Sequence, residues 1–155
     1  MKLKFSKLLL FIAICEGAGL IGSAFTFSAI PGWYVTLNKP AFNPPNNIFG
    51  PVWTMLYLLM GISVYLIWVS GKKSREVLRL FWIHLFFNVT WSIMFFGFKS
   101  PILGLINILT LWVLIVVVIY KFWKINRTAG LLLLPYLGWV SFATFLNYNI
   151  WLLNK

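Results

Sequence analysis

Residues 33–57, WYVTLNKPAFNPPNNIFGPVWTMLY, join a proline-rich segment to the start of a long apolar run. Pro40, Pro44 and Pro45 each fix one backbone dihedral and lack a hydrogen-bond donor. Each also pushes the residue before it toward extended backbone. A stiff loop is therefore predicted over residues 31–48. Its aromatic side chains have two alternative roles, as a cover over a site between helices or as an anchor at the lipid headgroups.

Apolar residues dominate the chain on both sides of this loop. Of the 155 residues, 61% are hydrophobic, 19% aromatic and only 10% charged, against roughly 25% charged in ordinary soluble domains. Five apolar runs occupy residues 8–30, 49–69, 80–98, 102–123 and 131–153. Each approaches the roughly 20 residues that a helix needs to cross a bilayer. The sequence predicts an all-α integral membrane protein, with residues 1–155 forming a single bundle of five transmembrane helices.

The basic residues lie mostly on one side of the predicted membrane. Of thirteen Lys and Arg residues, ten fall in the N-terminus and the second and fourth loops, leaving Lys39, Lys99 and Lys155 on the other side. Cytoplasmic loops are enriched in Lys and Arg, so we expect a cytoplasmic N-terminus and an external C-terminus. This distribution accounts for the net charge of +11 without a nucleic-acid partner. The Lys-, Ile- and Asn-rich composition favours a bacterial cell membrane.

The sequence supplies few reactive side chains. It has no aspartate. The side chains that could act as acid, base, nucleophile or metal ligand are Glu16, Glu76, His84 and Cys15. This set cannot furnish the three or four ligands of a zinc site, and a Ser-His-Asp triad would lack its aspartate. We therefore expect no metal site, no required cofactor and no conventional catalytic constellation.

Aromatic and polar residues recur at helical spacing in three of the apolar runs. In the third run, spacings of i, i+4, i+7, i+8 and i+11 place on one face His84, Asn88, Trp91, Ser92 and Phe95. The fifth run presents Trp139, Ala143 and Asn147, and the second presents Trp53 and Tyr57. Sites for flat, mostly apolar ligands combine such walls with sparse polar groups. The alternative is that the polar residues only cross-link helices.

Three blocks of sequence together resemble one known family. They are WYVTLNKPAFNPP with GPVWTMLY in residues 33–57, NVTWSIMFF in residues 88–96, and PYLGWVSFATFLNY in residues 135–148. Their order and the five predicted spans are similar to the tryptophan-rich sensory protein or translocator protein family (TspO/MBR). That family is also called the peripheral-type benzodiazepine receptor family. The blocks are spread over almost the whole chain.

The resemblance implies a membrane receptor for porphyrins, such as protoporphyrin IX or haem, and for isoquinoline- or benzodiazepine-type ligands, in tetrapyrrole or stress regulation. Helix faces and resemblance together give these candidate ligand-binding residues: Tyr34, Phe49, Trp53, Tyr57, His84, Asn88, Trp91, Ser92, Phe95, Trp139, Ala143 and Asn147. The candidate lid residues are Trp33, Pro40, Pro44 and Pro45. Some bacterial members are thought to degrade protoporphyrin IX in light, which implies a catalytic role for Trp53 and Trp139 at the matching positions.

Two residues leave the function open. Glu16 lies inside the first apolar run, where an ionisable residue indicates function by default. It either drives transport of porphyrins or cationic drugs, or stays protonated and bonded to a neighbouring helix. The small pairs Ala18–Gly22 and Gly19–Ser23 beside it favour close packing within the bundle or in a homodimer. His84 departs from the glutamine that family members often carry, and either ligates a haem iron or bridges two helices.

Overall fold

The computed structural model describes residues 4–71 and 75–155. Within these ranges the chain forms six α-helices and no strand: α1 (Phe5–Ala29), α2 (Asn46–Val69), α3 (Arg75–Ser92), α4 (Pro101–Ile125), α5 (Arg127–Leu132) and α6 (Leu134–Leu153). A 3-10 turn, Tyr34–Thr36, lies between α1 and α2, and a π-helical turn, Ile93–Gly97, ends the third span. Five segments are long and apolar enough to cross a membrane, α5 and α6 counting as one. The predicted five-helix membrane bundle is confirmed.

The helices extend beyond the apolar runs that predicted them. The third span begins at Arg75 and the fifth at Arg127, each several residues before its apolar run. A helix continues through polar residues because its stability rests on backbone hydrogen bonds, whereas an apolar run marks only the part facing lipid or core. α2 likewise begins at Asn46, so the loop predicted over residues 31–48 ends at Pro45.

The fifth span is broken between α5 and α6 at Leu133. Pro135, in the first turn of α6, has no N–H and therefore cannot continue the hydrogen-bond ladder of α5. The N-cap Asn126 accepts a hydrogen bond from the Ala129 N–H at 3.1 Å. The Ser63 hydroxyl of α2 donates to the Ala129 carbonyl at 2.7 Å. The short helix α5 is thus fixed against α2.

The spans close into a ring in the order α1, α2, α5–α6, α4 and α3. Their closest approach is between α1 and α2 at Gly61, where an added Cβ would lie only 2.6 Å from the Ile12 Cα. Toward the N-terminus of α1, the Lys4 N–H donates to the Tyr65 hydroxyl at 3.0 Å. This tight packing leaves the end of the bundle beneath the α1–α2 loop, called here the loop end, as the place where the helices enclose space.

Candidate functional site

A cavity of about 270 Å³ lies at the loop end of the bundle. Its walls come from α1, α2, α3 with its π-helical turn, and α6, and the loop adds Tyr34. Among the described residues that line it, none belongs to α4. The cavity is therefore enclosed by four of the five spans and covered by the proline-rich loop.

The structure brings together eleven of the twelve candidate ligand-binding residues around this cavity. They are Tyr34, Phe49, Trp53, Tyr57, Asn88, Trp91, Ser92, Phe95, Trp139, Ala143 and Asn147. Residues far apart in sequence meet because each helix turns its aromatic and polar face inward at the same level. The helical spacing read from the sequence located this convergence.

His84 is the candidate that does not line the cavity. It lies one helical turn from Asn88, away from the loop, with 0% of its surface exposed. Its Nδ1 lies 2.8 Å from the Phe81 carbonyl oxygen, to which an Nδ1–H would donate. Its ring packs edge-on against Tyr136 at 5.6 Å. Phe81 precedes it by one turn, so His84 bonds to its own helix and fills the core.

Trp53 is the central aromatic ring of the cavity. Its centroid lies 5.6 Å from Tyr57 and 6.4 Å from Trp91, both in stacked geometry. One turn before Trp53 on α2, Phe49 packs edge-on against Trp139 of α6 at 5.9 Å. The faces that these rings turn to the cavity favour a further flat ring stacked against them. The indole Nε1 of Trp139 has no hydrogen-bond partner among the described residues.

The π-helical turn ends the third span at the cavity. The Phe98 N–H donates to the Ile93 carbonyl at 2.8 Å and the Ser100 N–H to the Phe95 carbonyl at 3.1 Å. The consecutive residues Phe95 and Phe96 within this turn both line the cavity. Single π-helical turns occur often at functional sites. Phe96, which the candidate residues omit, follows Ser92 by four residues and continues its side of the helix.

Two of the three asparagines that line the cavity, Asn88 and Asn147, are hydrogen-bonded to other side chains or to backbone. Asn88 accepts a hydrogen bond from the Tyr57 hydroxyl through Oδ1 and donates from Nδ2 to the Tyr136 hydroxyl at 2.7 Å. Asn147 accepts from the Trp91 Nε1–H at 3.2 Å and donates to the Pro101 carbonyl at 2.8 Å. Their amides hold the walls together. The helix-bridging interpretation of these residues therefore agrees with their geometry.

The first helix forms a whole wall that the candidate residues omitted. Glu16, Gly19, Ser23, Thr26 and Ile30 follow one another at helical spacing and all line the cavity. Gly19 is required there because a side chain would collide with the Tyr57 ring. Gly22 faces Ser92 in the same way, with 3.0 Å between an added Cβ and the Ser92 Oγ. The small residues beside Glu16 thus pack inside the bundle.

The loop is fastened at both the cavity and the end of α6. The buried Tyr34 donates its hydroxyl to Asn43 Oδ1 at 2.9 Å, and burial raises the pKa of Tyr34 to about 12 against the lowering effect of that hydrogen bond. The Asn38 N–H donates to Asn154 Oδ1, and Asn154 Nδ2 donates back to the Asn38 carbonyl, each at 2.9 Å. Phe42 stacks on Phe145 at 5.2 Å.

None of the four candidate lid residues touches the cavity itself. Trp33 packs edge-on against Phe95 at 5.5 Å, behind the cavity wall. The Pro40 carbonyl accepts a hydrogen bond from the Asn43 N–H at 2.9 Å, and Pro45 is the N-cap of α2. Tyr34 reaches the cavity from the loop, and Phe49 reaches it from the first turn of α2. Trp33 and the prolines shape the loop that carries Tyr34 and leads into α2.

Five helices long and apolar enough to cross a membrane form a bundle that holds a cavity with aromatic walls beneath the α1–α2 loop, and this arrangement defines a multi-pass membrane protein with an internal cavity. Comparison with known proteins agrees with this class. The model of the TspO/MBR family matches residues 11–152, so the chain belongs to the TspO/MBR family.

Relatives of this chain occur in bacteria, archaea and animals. It is 44% identical over 150 residues to the tryptophan-rich protein TspO of Chlorobaculum tepidum, covering 95% of each chain. It is 42% identical over 149 residues to TspO of Archaeoglobus fulgidus, covering 96% of this chain and 97% of the other. The human translocator protein is 34% identical over 135 residues, covering 84% of this chain and 80% of its own.

Proposed function

We propose that this chain is a membrane binding protein for flat, mostly apolar ring systems. The ligands are porphyrins such as protoporphyrin IX or haem, and isoquinoline- or benzodiazepine-type compounds, and their binding serves tetrapyrrole or stress regulation. One observation carries the proposal: the stacked rings of Trp53, Tyr57 and Trp91 and the contacting rings of Phe49 and Trp139 line one cavity. Aromatic walls with few free polar groups suit a flat ligand.

The size of the cavity sets a condition on this proposal. Its volume of about 270 Å³ lies just below the roughly 300–1,000 Å³ usual for ligand sites. An isoquinoline is close to this volume, whereas a porphyrin is larger and requires the loop or the α1 wall to move outward. Leu20 and Phe27 line the cavity on α1 and are 72% and 70% exposed. The α1 wall is therefore exposed on the outer surface of the bundle.

The asymmetry of basic residues orients the proposed site. With the N-terminus in the cytoplasm, the loop and the cavity lie toward the outer leaflet. A membrane-dissolved ring then reaches the cavity through the α1 wall. The homodimer expected from the small residues of α1 stays a prediction.

Light-dependent porphyrin degradation is an extension of the same proposal. Trp53 of α2 and Trp139 of α6 both line the cavity, so a porphyrin that fills it would contact both indoles. The cavity offers no paired acid and base for conventional catalysis. The reaction would instead be an oxidation, with light and dioxygen supplying the oxidising power. Faster bleaching of protoporphyrin IX by the intact chain than by Trp139→Phe would support this extension. Equal rates would limit the function to binding.

Transport is a second candidate, favoured by the position of Glu16 on the cavity wall. A proton-coupled mechanism requires that Glu16→Gln abolish flux of porphyrins or cationic drugs in vesicles while the protein stays folded. Flux that survives this substitution would remove the proton-coupled form of the candidate.

The binding proposal is tested by titrating the purified protein with protoporphyrin IX in the dark and following fluorescence of its nine tryptophans. Saturable quenching is expected at micromolar porphyrin. Trp53→Phe and Trp139→Phe should weaken binding several-fold because each removes part of a wall. Trp112→Phe is the matched control, since Trp112 lies on α4 and donates to the Ser141 hydroxyl outside the cavity. Equal affinities in all variants would place the site elsewhere.

A further inference from the structure

We propose that the Glu16 carboxylate selects the ligand by charge, so that the cavity favours rings carrying a protonated nitrogen on the edge that faces α1. This inference rests on the proposed function, because it assigns a ligand class to the same cavity. It concerns recognition at equilibrium and requires neither transport nor turnover.

Glu16 lies on the wall of the cavity that α1 forms. It begins the inward stripe of α1 and lines the cavity together with Gly19, one turn further on. Gly19 lies against the Tyr57 ring, and Glu16 precedes Gly19 by three residues on the same face of α1. The acidic group therefore stands beside the stacked aromatic wall, at the end of the cavity away from the loop.

Glu16 has no partner within the described part of the protein. It makes no hydrogen bond or ion pair there, and no described residue lining the cavity is Lys, Arg or His. By contrast, the hydrogen-bonding groups of Asn88 and Asn147 are already used. Glu16 is thus an acidic group left available to a ligand.

The surroundings of this carboxylate favour a cation. An unpaired charge beside apolar walls is costly, and a group of opposite charge reduces that cost. The faces of Tyr57 and Trp53, stacked at 5.6 Å, add the attraction of aromatic rings for cations. A protonated nitrogen at this edge of the ligand would pair with the Glu16 carboxylate and contact the faces of Tyr57 and Trp53.

The same charge directs the opposite end of the ligand. Carboxylates of a porphyrin would be repelled by Glu16 and would point toward the loop, where Lys39 lies. The Lys39 ammonium is 3.0 Å from the Leu37 carbonyl oxygen and 4.9 Å from the centre of the Tyr34 ring. A ligand with an anionic edge therefore fits in one orientation only, whereas a cationic edge fits best against α1.

Three porphyrins with one macrocycle test this inference in the dark. Protoporphyrin IX carries two propionates, its dimethyl ester carries none, and its bis-amide with dimethylaminoethylamine carries two protonated amines. The unaltered chain should bind the amine derivative most tightly. Glu16→Gln should weaken binding of that derivative by at least ~10-fold, since it removes the charge that pairs with the amine beside the apolar walls. The same substitution should change the affinity for the dimethyl ester by no more than about two-fold. It should raise the affinity for protoporphyrin IX, because it removes the repulsion between Glu16 and the propionates.

Two further variants separate charge recognition from structure. Glu76→Gln makes the same chemical change at an exposed position at the start of α3, outside the cavity, and should alter none of the three affinities. Glu16→Asp keeps the charge and should keep the order of the three ligands.

The outcomes separate this inference from the function on which it rests. Equal changes for all three porphyrins in Glu16→Gln, or an ester bound more tightly than the amine derivative by the unaltered chain, would overturn charge selection while leaving the binding function intact. Absence of saturable binding of all three porphyrins would overturn both.

Discussion

Asn88 joins three helices at the floor of the cavity, and replacing it with leucine should destabilise the protein and loosen the site. It links Tyr57 of α2 to Tyr136 of α6 through its two amide atoms. Leucine has the same branched shape, is larger, and cannot form either hydrogen bond. The substitution therefore removes the bridge without opening a large void.

The cost follows from the surroundings of the two phenols. Hydrogen bonds between membrane helices are worth about 0.6 kcal/mol on average, so two lost bonds cost about 1.2 kcal/mol. Tyr57 lines the cavity and can turn its hydroxyl toward it. Tyr136 is 0% exposed, so its hydroxyl stays unpaired and adds about 1–3 kcal/mol. We expect a total loss of about 2–4 kcal/mol in the free energy of unfolding.

Reversible unfolding in mixed micelles measures this loss, and porphyrin titration measures the loosening of the site. Asn107→Leu is the matched control, because Asn107 is also buried but donates only to Thr90 and lies outside the cavity. That control should lower stability less and leave porphyrin affinity unchanged. A loss below about 1 kcal/mol for Asn88→Leu, or equal affinity losses in both variants, would refute the role of the bridge.

Gly61→Ala should lower the free energy of unfolding by about 1–3 kcal/mol, because the added methyl group overpacks the contact between α1 and α2. Gly17→Ala is the control and should cause no such loss, since Gly17 has open space beside it. Equal melting temperatures for the two variants would contradict the close approach of the helices. Asn154→Ala should release the loop and speed ligand dissociation several-fold in stopped-flow measurements, unlike Asn149→Ala, which breaks only a bond within α6. The Tyr34 pKa, raised by burial to about 12, makes the neutral phenol more favourable in the folded state. The contribution of Tyr34 to the free energy of unfolding is therefore complete below the unfolded pKa of about 10 and is lost as the pH rises toward 12. If the Tyr34→Phe chain loses stability at alkaline pH to the same extent, Tyr34 does not titrate this way.

The sequence predicted the features that follow from the length of the apolar runs and from the regular spacing of residues on a helix face. Runs of apolar residues gave five spans, and the inward faces of α2, α3 and α6 followed from helical spacing. Trp53, Asn88 and Trp139 converge because a helix in a bundle keeps one stripe inward along its length.

The features that spacing could not predict depend on breaks in that regular spacing. The π-helical turn ends the third span, and Pro135 divides the fifth span at Leu133. The wall from α1 was missed because α1 contains no Trp or Tyr to mark its inward face. Only the structure shows that Gly19 makes room for the Tyr57 ring.

His84 shows a different limit of sequence reasoning. It shares a helix face with Asn88, and spacing cannot tell which residues of that face lie at the level of the cavity. Depth depends on where neighbouring helices separate. α2 and α1 are packed tightly at Gly61 and Ile12, so the space opens only toward the loop and leaves His84 in the core.

A structure of the chain with bound protoporphyrin IX in a lipid bilayer tests the central claim most directly. The macrocycle should lie against Trp53 and Trp139 beneath the loop, with its propionates directed away from Glu16. A macrocycle seated outside the bundle, for example in the shallow surface groove between α1 and α3 beside Gly17 and Phe86, would contradict the assignment of this cavity as the binding site.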